Sequence, residues 1–144
     1  MKDLGKIVGI DYGDARVGVA LSDPEKSIAF GREMILNKSK NAVIYRIKQI
    51  LTEDNVELIV LGLPLSMEGE DTEQTMKVRK FGELLSKAVK TPIVYHDERL
   101  TTYEGDGILT SIGMSGRNKK KEKDIIAASL ILQNYLDLKS EKAR

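Results

Sequence analysis

The sequence contains no cysteine, no tryptophan and a single histidine. Without cysteine the chain cannot form disulfides, thiol nucleophiles or cysteine-ligated zinc and iron–sulfur centres, and one histidine excludes a His-rich metal site. No apolar run approaches the roughly 20 residues that a membrane helix needs, and the first residues lack the apolar core of a signal peptide. We therefore expect a cytoplasmic protein with no membrane partner, in which any metal is held mainly by oxygen ligands.

Positive and negative charges nearly balance over the whole chain but not locally. With 23 basic against 22 acidic residues, the net charge of +1 excludes a strongly basic protein that coats DNA without specificity. Five basic residues against one glutamate lie just after Gly113 and Gly116, and they are Arg117, Lys119, Lys120, Lys121 and Lys123. This segment predicts a flexible loop that clamps an anionic ligand, although a solvated lysine run fits its charge equally well.

Hydrophobic periodicity predicts one domain over residues 1–144, with frayed ends at 1–5 and 139–144. Alternating or continuous apolar residues indicate strands at 6–11, 16–22, 29–36, 58–61 and 92–95. Three-and-four spacing indicates helices at 41–54 and 122–138. Capping residues indicate one helix that starts at Asp71, which caps it together with Gln74, and a short one at 101–112. Three strands followed by helix–strand units are typical of an α/β mixed sheet flanked by helices.

Three acidic residues lie where ligands of such sheets bind, beyond the carboxyl ends of parallel strands. Asp11 ends the first strand, Glu98 follows the last one, and Asp124 lies near the start of the final helix. Each also has an ordinary interpretation: a turn aspartate, a surface partner of Arg99, and an acid favoured at a helix start. Strand alternation lets only one of Asp97 and Glu98 face a shared site, and it does not decide between them.

Converging carboxylates with almost no imidazole or thiol available suit Mg²⁺ or Mn²⁺. Such ions can activate water and stabilise the leaving oxygen of a phosphodiester, which is the chemistry of a nuclease. In the final helix, Ala127 and Ala128 lie on the same face as Asp124 and predict a close approach to the sheet. His96, the single imidazole, is interpreted as a packed or hydrogen-bonded strand residue rather than a catalytic base.

Several ordered motifs resemble one known family. They are Gly-Ile-Asp-Tyr-Gly at 9–13, Arg-Val-Gly-Val-Ala at 16–20, Gly-Leu-Pro at 62–64 with Gly69, Asp-Glu-Arg-Leu-Thr-Thr at 97–102, Lys-Asp at 123–124 with Ala-Ala at 127–128, and Ile-Leu-Gln at 131–133. Over about residues 5–138 the chain resembles the YqgF family of RuvX-type pre-16S rRNA nucleases, also described as Holliday junction resolvase-like. The resemblance implies a ribonuclease H-like fold, with a mixed five-stranded sheet of order 3-2-1-4-5.

The same resemblance implies a metal-dependent nuclease that matures the 5′ end of pre-16S rRNA, with Mg²⁺ or Mn²⁺ as cofactor. Its catalytic and metal-binding acids would be Asp11, Glu98 and Asp124, and the motif match is what selects Glu98 over Asp97. Related resolvases place an acid on the fourth strand, where this chain has Gly62, so we expect Gly62 to leave room for ions between Asp11 and Glu98.

Substrate contacts are expected from polar and basic residues near these acids. They are Gly13, Arg16, Arg99, Thr101, Thr102, Arg117, Lys119, Lys120, Lys121 and Lys123. The expected partners are precursor ribosomal RNA, with branched DNA as a second possibility, and ribosomal particles, bound by a monomer or a weak homodimer. Two alternatives stay open: a Holliday junction resolvase-like DNA endonuclease, and a non-catalytic RNA-binding factor on the same fold. An actin-like phosphotransferase would also begin with a motif like 9–13, but it normally needs two such domains.

Overall fold

A mixed five-stranded sheet with helices on both faces forms the protein, which the computed structural model describes over residues 5–100 and 116–142. The strands are β1 (Lys6–Tyr12), β2 (Arg16–Ser22), β3 (Ala29–Leu36), β4 (Val56–Leu63) and β5 (Ile93–Asp97). The helices are α1 (Lys40–Glu53), α2 (Glu73–Ala88) and α3 (Gly116–Lys142), and a 3₁₀ turn covers Glu98–Leu100. The order β3-β2-β1-β4-β5, antiparallel among β1–β3 and parallel across β1, β4 and β5, confirms the predicted topology.

Alternation along the central strand β1 divides the interior into two cores. Val8 and Ile10 belong to the core beneath α1 and α2, whereas Ile7 belongs to the core beneath α3. Because side chains alternate, the last two residues of β1 also project to opposite faces. Asp11 therefore lies on the α3 face and Tyr12 on the face of α1 and α2, at the same end of the sheet.

Helix α3 packs unusually close to the sheet because small residues line three neighbouring strands. Gly9 pairs with Ala20 and Ala20 pairs with Gly31, and we call these three aligned residues the small-residue row. A Cβ at Gly9 would lie 2.7 Å from the Cβ of Leu132, and one at Gly31 would overlap the side chain of Ile125. The close approach predicted from the alanines of this helix is thus confirmed.

The basic segment after Gly116 is helical, so the prediction of a loop there was wrong. Helix α3 begins at Gly116 rather than at Glu122, and it continues to Lys142 instead of ending at Leu138. Lysine, arginine and glutamate are good helix formers, so a dense run of charge does not by itself indicate a loop. As a result Asp124 lies two turns inside the helix, where the charge of a helix terminus has little influence on it.

The N-cap of helix α2 lies one residue after Asp71, the predicted cap. Thr72 is the N-cap and shares a reciprocal capping box with Thr75, while Asp71 pairs with Arg79 instead. A threonine hydroxyl fills the capping role as well as a carboxylate does, so the two neighbouring residues could not be separated by residue type.

The predicted helix at 101–112 lies outside the described residues. Among the described helices, none has the length and apolar character to cross a membrane.

Candidate active site

Asp11 is a half-buried carboxyl at the carboxyl end of β1. Its strand partner on β2 is Gly18, and its side chain lies on the face covered by α3. Burial, followed by the negative charge of Asp124, raises the pKa of Asp11 from its ordinary value of 3.8 to about 6. The site therefore disfavours the charged form of this acid unless a cation accompanies it.

Glu98 lies beside Asp11 because β4 has a glycine between them. A Cβ at Gly62 would be 3.1 Å from Oε2 of Glu98 and 2.7 Å from Cδ1 of Ile131. The Glu98 and Ile131 side chains thus occupy part of the space that we expected Gly62 to leave for ions. Burial, then the charges of Asp11 and Asp97, raise the pKa of Glu98 to about 7.

Asp97 is held by a cation, unlike its neighbour Glu98. Arg99 donates from Nε to both carboxylate oxygens of Asp97, at 3.1 and 3.0 Å, and from Nη2 at 2.6 Å. These bonds lower the pKa of Asp97. The same guanidinium donates to the carbonyl of Met67 at 3.1 Å and lies against Gly69. Arg99, a predicted substrate contact, thereby ties the end of β5 to the turn that follows β4.

Asp124 reaches the site from α3 and is paired with Arg16 of β2. Nε of Arg16 donates to Oδ2 of Asp124 at 2.5 Å, across 108 positions of sequence. The helix backbone comes so close here that a Cβ at Gly18 would overlap the carbonyl of Asp124. Arg16 was predicted to contact substrate, and no local sequence signal indicates its partnership with Asp124.

Of the three predicted acids, Asp124 is the one that has a basic partner within the described residues. Asp11 experiences the charge of Asp124, and Glu98 experiences that of Asp11. Among the side chains of residues 5–100 and 121–140, which the structure describes, none forms an ion pair or hydrogen bond with the carboxylate of Asp11 or Glu98. No three His, Cys, Asp or Glu side chains in this part of the chain stand close enough together to hold a metal as they are.

This donor set fits a hard divalent cation at Asp11 and Glu98. Both groups offer only oxygen, and both are carboxylates that burial and mutual repulsion leave uncompensated. Asp124 could join them through Oδ1, since Arg16 donates to Oδ2.

The other predicted contacts are spread around the same sheet end. Gly13 forms the β1–β2 turn, where its N–H donates to the carbonyl of Arg16 at 3.0 Å. Lys121 is exposed and Lys123 half-buried on α3, within a turn of Asp124. Two threonines lie outside the described residues, as do the side chains of three α3 residues whose backbone is helical. These are Thr101 and Thr102, and Arg117, Lys119 and Lys120.

His96 is a packed residue, as interpreted from the sequence. It is buried, its Nε2 lies 2.7 Å from Oδ1 of Asn134, and its ring meets that of Tyr135 edge-on at 5.9 Å. The imidazole therefore links β5 to α3.

Comparisons with known proteins agree with this architecture. The family model RuvX, described as Holliday junction resolvase, matches residues 5–138. A protein of Thermoanaerobacter pseudethanolicus named "Putative pre-16S rRNA nuclease" is 44% identical over 138 residues, covering 95% of this chain and 99% of the relative. A protein of the same name from Rickettsia conorii is 40% identical over 131 residues, covering 91% of this chain and 85% of the relative.

Solved structures at low sequence identity share the fold. RuvC of T. thermophilus in complex with Holliday junction substrate has a TM-score of 0.59 at 11% identity, covering 94% of this chain and 97% of that one. The yeast mitochondrial Holliday junction resolvase Ydc2 also has a TM-score of 0.59 at 11% identity, covering 98% of this chain and 81% of that one. These likenesses confirm the expected ribonuclease H-like fold.

Proposed function

The chain belongs to the RuvX family, and from that premise we propose that it is a divalent-metal-dependent nuclease acting on precursor 16S rRNA at its 5′ end. Asp11, Glu98 and Asp124 are its catalytic acids. The shared name of the curated relatives favours an RNA substrate, whereas the family description favours a four-way DNA junction. We take RNA as the leading substrate because the relatives that carry the RNA name align over almost the whole chain.

One observation carries this proposal: Asp11 and Glu98 are neighbouring, partly buried carboxyls with no cationic partner in the described part of the chain. Burial and like charge raise both pKa values, and a fold gains nothing structural from such a pair. A bound cation favours the ionised forms of both acids and offsets their repulsion. The free-energy cost of burying these two acids near each other is therefore understandable if the site binds a metal.

The residues of the site have separate roles in binding the metal and the substrate. When bound, a divalent cation supplies Lewis-acid activation of water and charge stabilisation at the phosphodiester. Asp11 and Glu98 would hold it, and Asp124 would contribute Oδ1, the oxygen that does not accept from Arg16. The guanidinium of Arg16 donates to Asp124 through Nε, and its other N–H groups suit a phosphate oxygen. Arg99 positions Glu98 by fixing the preceding residue, Asp97, to the turn at Met67.

The decisive experiment measures cleavage of a labelled precursor 16S rRNA fragment and of a four-way DNA junction, each with Mg²⁺, Mn²⁺ or EDTA. We expect the RNA to be cut with either metal and not in EDTA. Asp11→Asn keeps the shape of the side chain and removes a ligand charge, so it should lower the cleavage rate by at least about a hundredfold. Asp137→Asn is the matched control, since Asp137 is an exposed acid of α3 away from the site.

The outcomes separate the alternatives. Cleavage of the junction alone identifies a DNA endonuclease. Salt-sensitive RNA binding that ignores EDTA, without cleavage of either substrate, identifies a non-catalytic binding factor. Equal rates for Asp11→Asn and the wild-type protein in Mg²⁺ would show that this acid has no catalytic role.

A further inference from the structure

A second polar surface lies at the same end of the sheet as Asp11, on the opposite face. It is a cleft of about 390 Å³ between the end of β1, the connection from β3 to α1, and helix α2. We call it the lysine cleft, and its lining residues are Tyr12, Asp14, Asn37, Lys38, Ser39, Lys40, Lys77 and Lys80. None of them belongs to the acidic site.

The walls of the lysine cleft are held in place by packing and hydrogen bonds. The ring of Tyr12 stacks on Phe81 of α2 with centroids 4.2 Å apart, which joins the helix to the end of β1. Asn37 donates from Nδ2 to the carbonyl of Gly13 and from its backbone N–H to the carbonyl of Ala15, both at 2.9 Å. The cleft is therefore formed in advance of any ligand.

Positive charge is concentrated and only weakly neutralised in the lysine cleft. Four lysines face one carboxylate, Asp14, which lies 3.3 Å from Nζ of Lys77. Within the described residues, Lys38, Lys40 and Lys80 have no carboxylate within ion-pair distance. Arg79, the residue before Lys80 on α2, is by contrast paired with Asp71 at 2.7 Å. The cleft thus presents ammonium groups to a ligand that must bring negative charge.

The lining indicates a nucleic acid rather than a protein. Tyr12, its one aromatic residue, is only 7% exposed because it is covered by Phe81, so no apolar anchor is available for a partner protein. Lysines are compact point charges on flexible stems and contact phosphates without reading sequence. Such a surface suits the regularly spaced charges of a sugar–phosphate backbone.

We propose that the lysine cleft binds the phosphate backbone of the substrate strand as it passes over the end of β1 from the acidic site. This inference rests on the proposed function, since it takes the substrate to be a nucleic acid that reaches Asp11. Asp11 and Tyr12 are consecutive residues on opposite faces of the sheet. A nucleic-acid strand that lies across the acids therefore enters the lysine cleft by passing over the end of β1. Substrate extending on that side of the scissile bond then adds affinity without adding sequence preference.

The test compares the double variant Lys40→Gln/Lys80→Gln with the wild-type protein. Binding of a fluorescein-labelled single-stranded RNA is followed by anisotropy in EDTA at several salt concentrations, so that no cleavage is needed. We expect the Kd to rise by about tenfold, and the slope of log Kd against log salt to fall by about 1.4, or about 0.7 for each lost phosphate contact. The matched control is Lys87→Gln/Lys90→Gln, which makes the same charge change near the opposite end of α2 and should alter the Kd by less than about twofold.

A second variant predicts the opposite sign, which a damaged fold would not produce. Asp14→Asn removes the carboxylate from the lysine cleft and should lower the Kd for the same RNA by about twofold to fivefold. Under cleavage conditions the Lys40/Lys80 variant should raise KM with little change in kcat, because its contacts lie away from the reacting phosphate.

The results distinguish this inference from the proposed function. If the Lys40/Lys80 variant binds RNA more weakly and the wild-type protein cuts neither substrate, the lysine cleft is supported as a binding surface and the nuclease function is ruled out. If that variant keeps the wild-type Kd and salt slope and the protein cleaves efficiently with metal, the lysine cleft is ruled out and the nuclease function stands. An equal loss in both double variants, no RNA binding by the wild-type protein, or polyglutamate competing as well as RNA at matched charge would each overturn the assignment to a nucleic-acid strand.

Discussion

Asp11 and Glu98 are acids that the fold places side by side without counter-ions from the described residues, and their titration follows from that placement. The ordinary pKa values of 3.8 and 4.5 rise to about 6 and about 7, in both cases mainly through burial. Between pH 4 and 7 these two acids therefore bind more protons in the folded protein than in the unfolded chain. The contribution of these acids to stability is present at low pH and is lost as the pH rises through 6 and 7.

We therefore expect the free energy of unfolding to fall across that pH window in metal-free buffer. Asp11→Asn should be more stable than the wild-type protein at pH 8, by about 1–3 kcal/mol, because it removes one member of the repelling pair. Urea denaturation in EDTA at pH 5 and pH 8 measures both effects. A wild-type protein whose stability rises between these pH values, with no gain from Asp11→Asn, would show that burial and like charge do not destabilise the ionised form of Asp11.

For single residues, the sequence indicates which acids are candidates for the site but not which basic side chains pair with them. Asp11, Glu98 and Asp124 could be proposed from strand ends and family motifs. The partnership of Asp124 with Arg16 depends on how a helix lies over a strand more than 100 positions away, and no local pattern encodes it. Arg99 likewise could pair with either neighbouring acid, and only the folded backbone selects Asp97.

At the scale of helices and strands, glycines of the sheet allow α3 and the end of β5 to pack closely against it. At Gly18 the facing atoms are the backbone of Asp124, which cannot move aside without shifting α3. At Gly62 they are the ends of the Ile131 and Glu98 side chains, which can change rotamer. The two positions should therefore respond differently to the same added methyl group.

Gly18→Ala should lower the free energy of unfolding by about 1–3 kcal/mol and also reduce cleavage, because it lifts the helix that carries Asp124. Gly62→Ala should cost less than about 1.5 kcal/mol yet reduce cleavage by about tenfold or more, because it displaces Glu98 from Asp11. Denaturant titrations and cleavage rates of both variants provide the comparison. Greater instability of the Gly62 variant, with normal cleavage, would show that Glu98 is not constrained from this side.

Element types were largely predictable and their limits were not. Period-two and period-three-to-four patterns located the five strands and the two helices α1 and α2 to within a few residues. The start of α3 was missed because glycine and a dense run of charge are equally common in loops, whereas helix propensity continues through that run. The cap of α2 was misplaced by one residue because Asp71 and Thr72 are both good caps.

Over the whole molecule, one sheet supports two cores. Neither core can stay folded without the sheet that it shares with the other. Phe81 and Leu85 of α2 are fully buried in one core, and Ala128 and Leu132 of α3 are fully buried in the other. Because β1 contributes alternate residues to both sides, the packing of α3 depends on the same strands as the packing of α1 and α2. Unfolding should therefore be a single cooperative transition.

Leu132→Ala should test that coupling. Deleting this side chain over Gly9 should cost about 2–5 kcal/mol and shift one transition to lower denaturant, with coincident curves by fluorescence and circular dichroism. Leu84→Ala, at an exposed position of α2, is the control and should cost less than about 1 kcal/mol. Two separate transitions in the Leu132 variant would mean that α3 detaches by itself.

The small-residue row has a consequence for how the activity of this fold can change over evolution. Gly31 lies on the outermost strand and touches no acid, yet it bears on Ile125, the residue that follows Asp124. A single larger side chain there would alter the height of the helix and hence how far the carboxylate of Asp124 extends toward Asp11. Catalytic strength could thus be raised or lowered from the rim of the sheet, with every reacting group left unchanged.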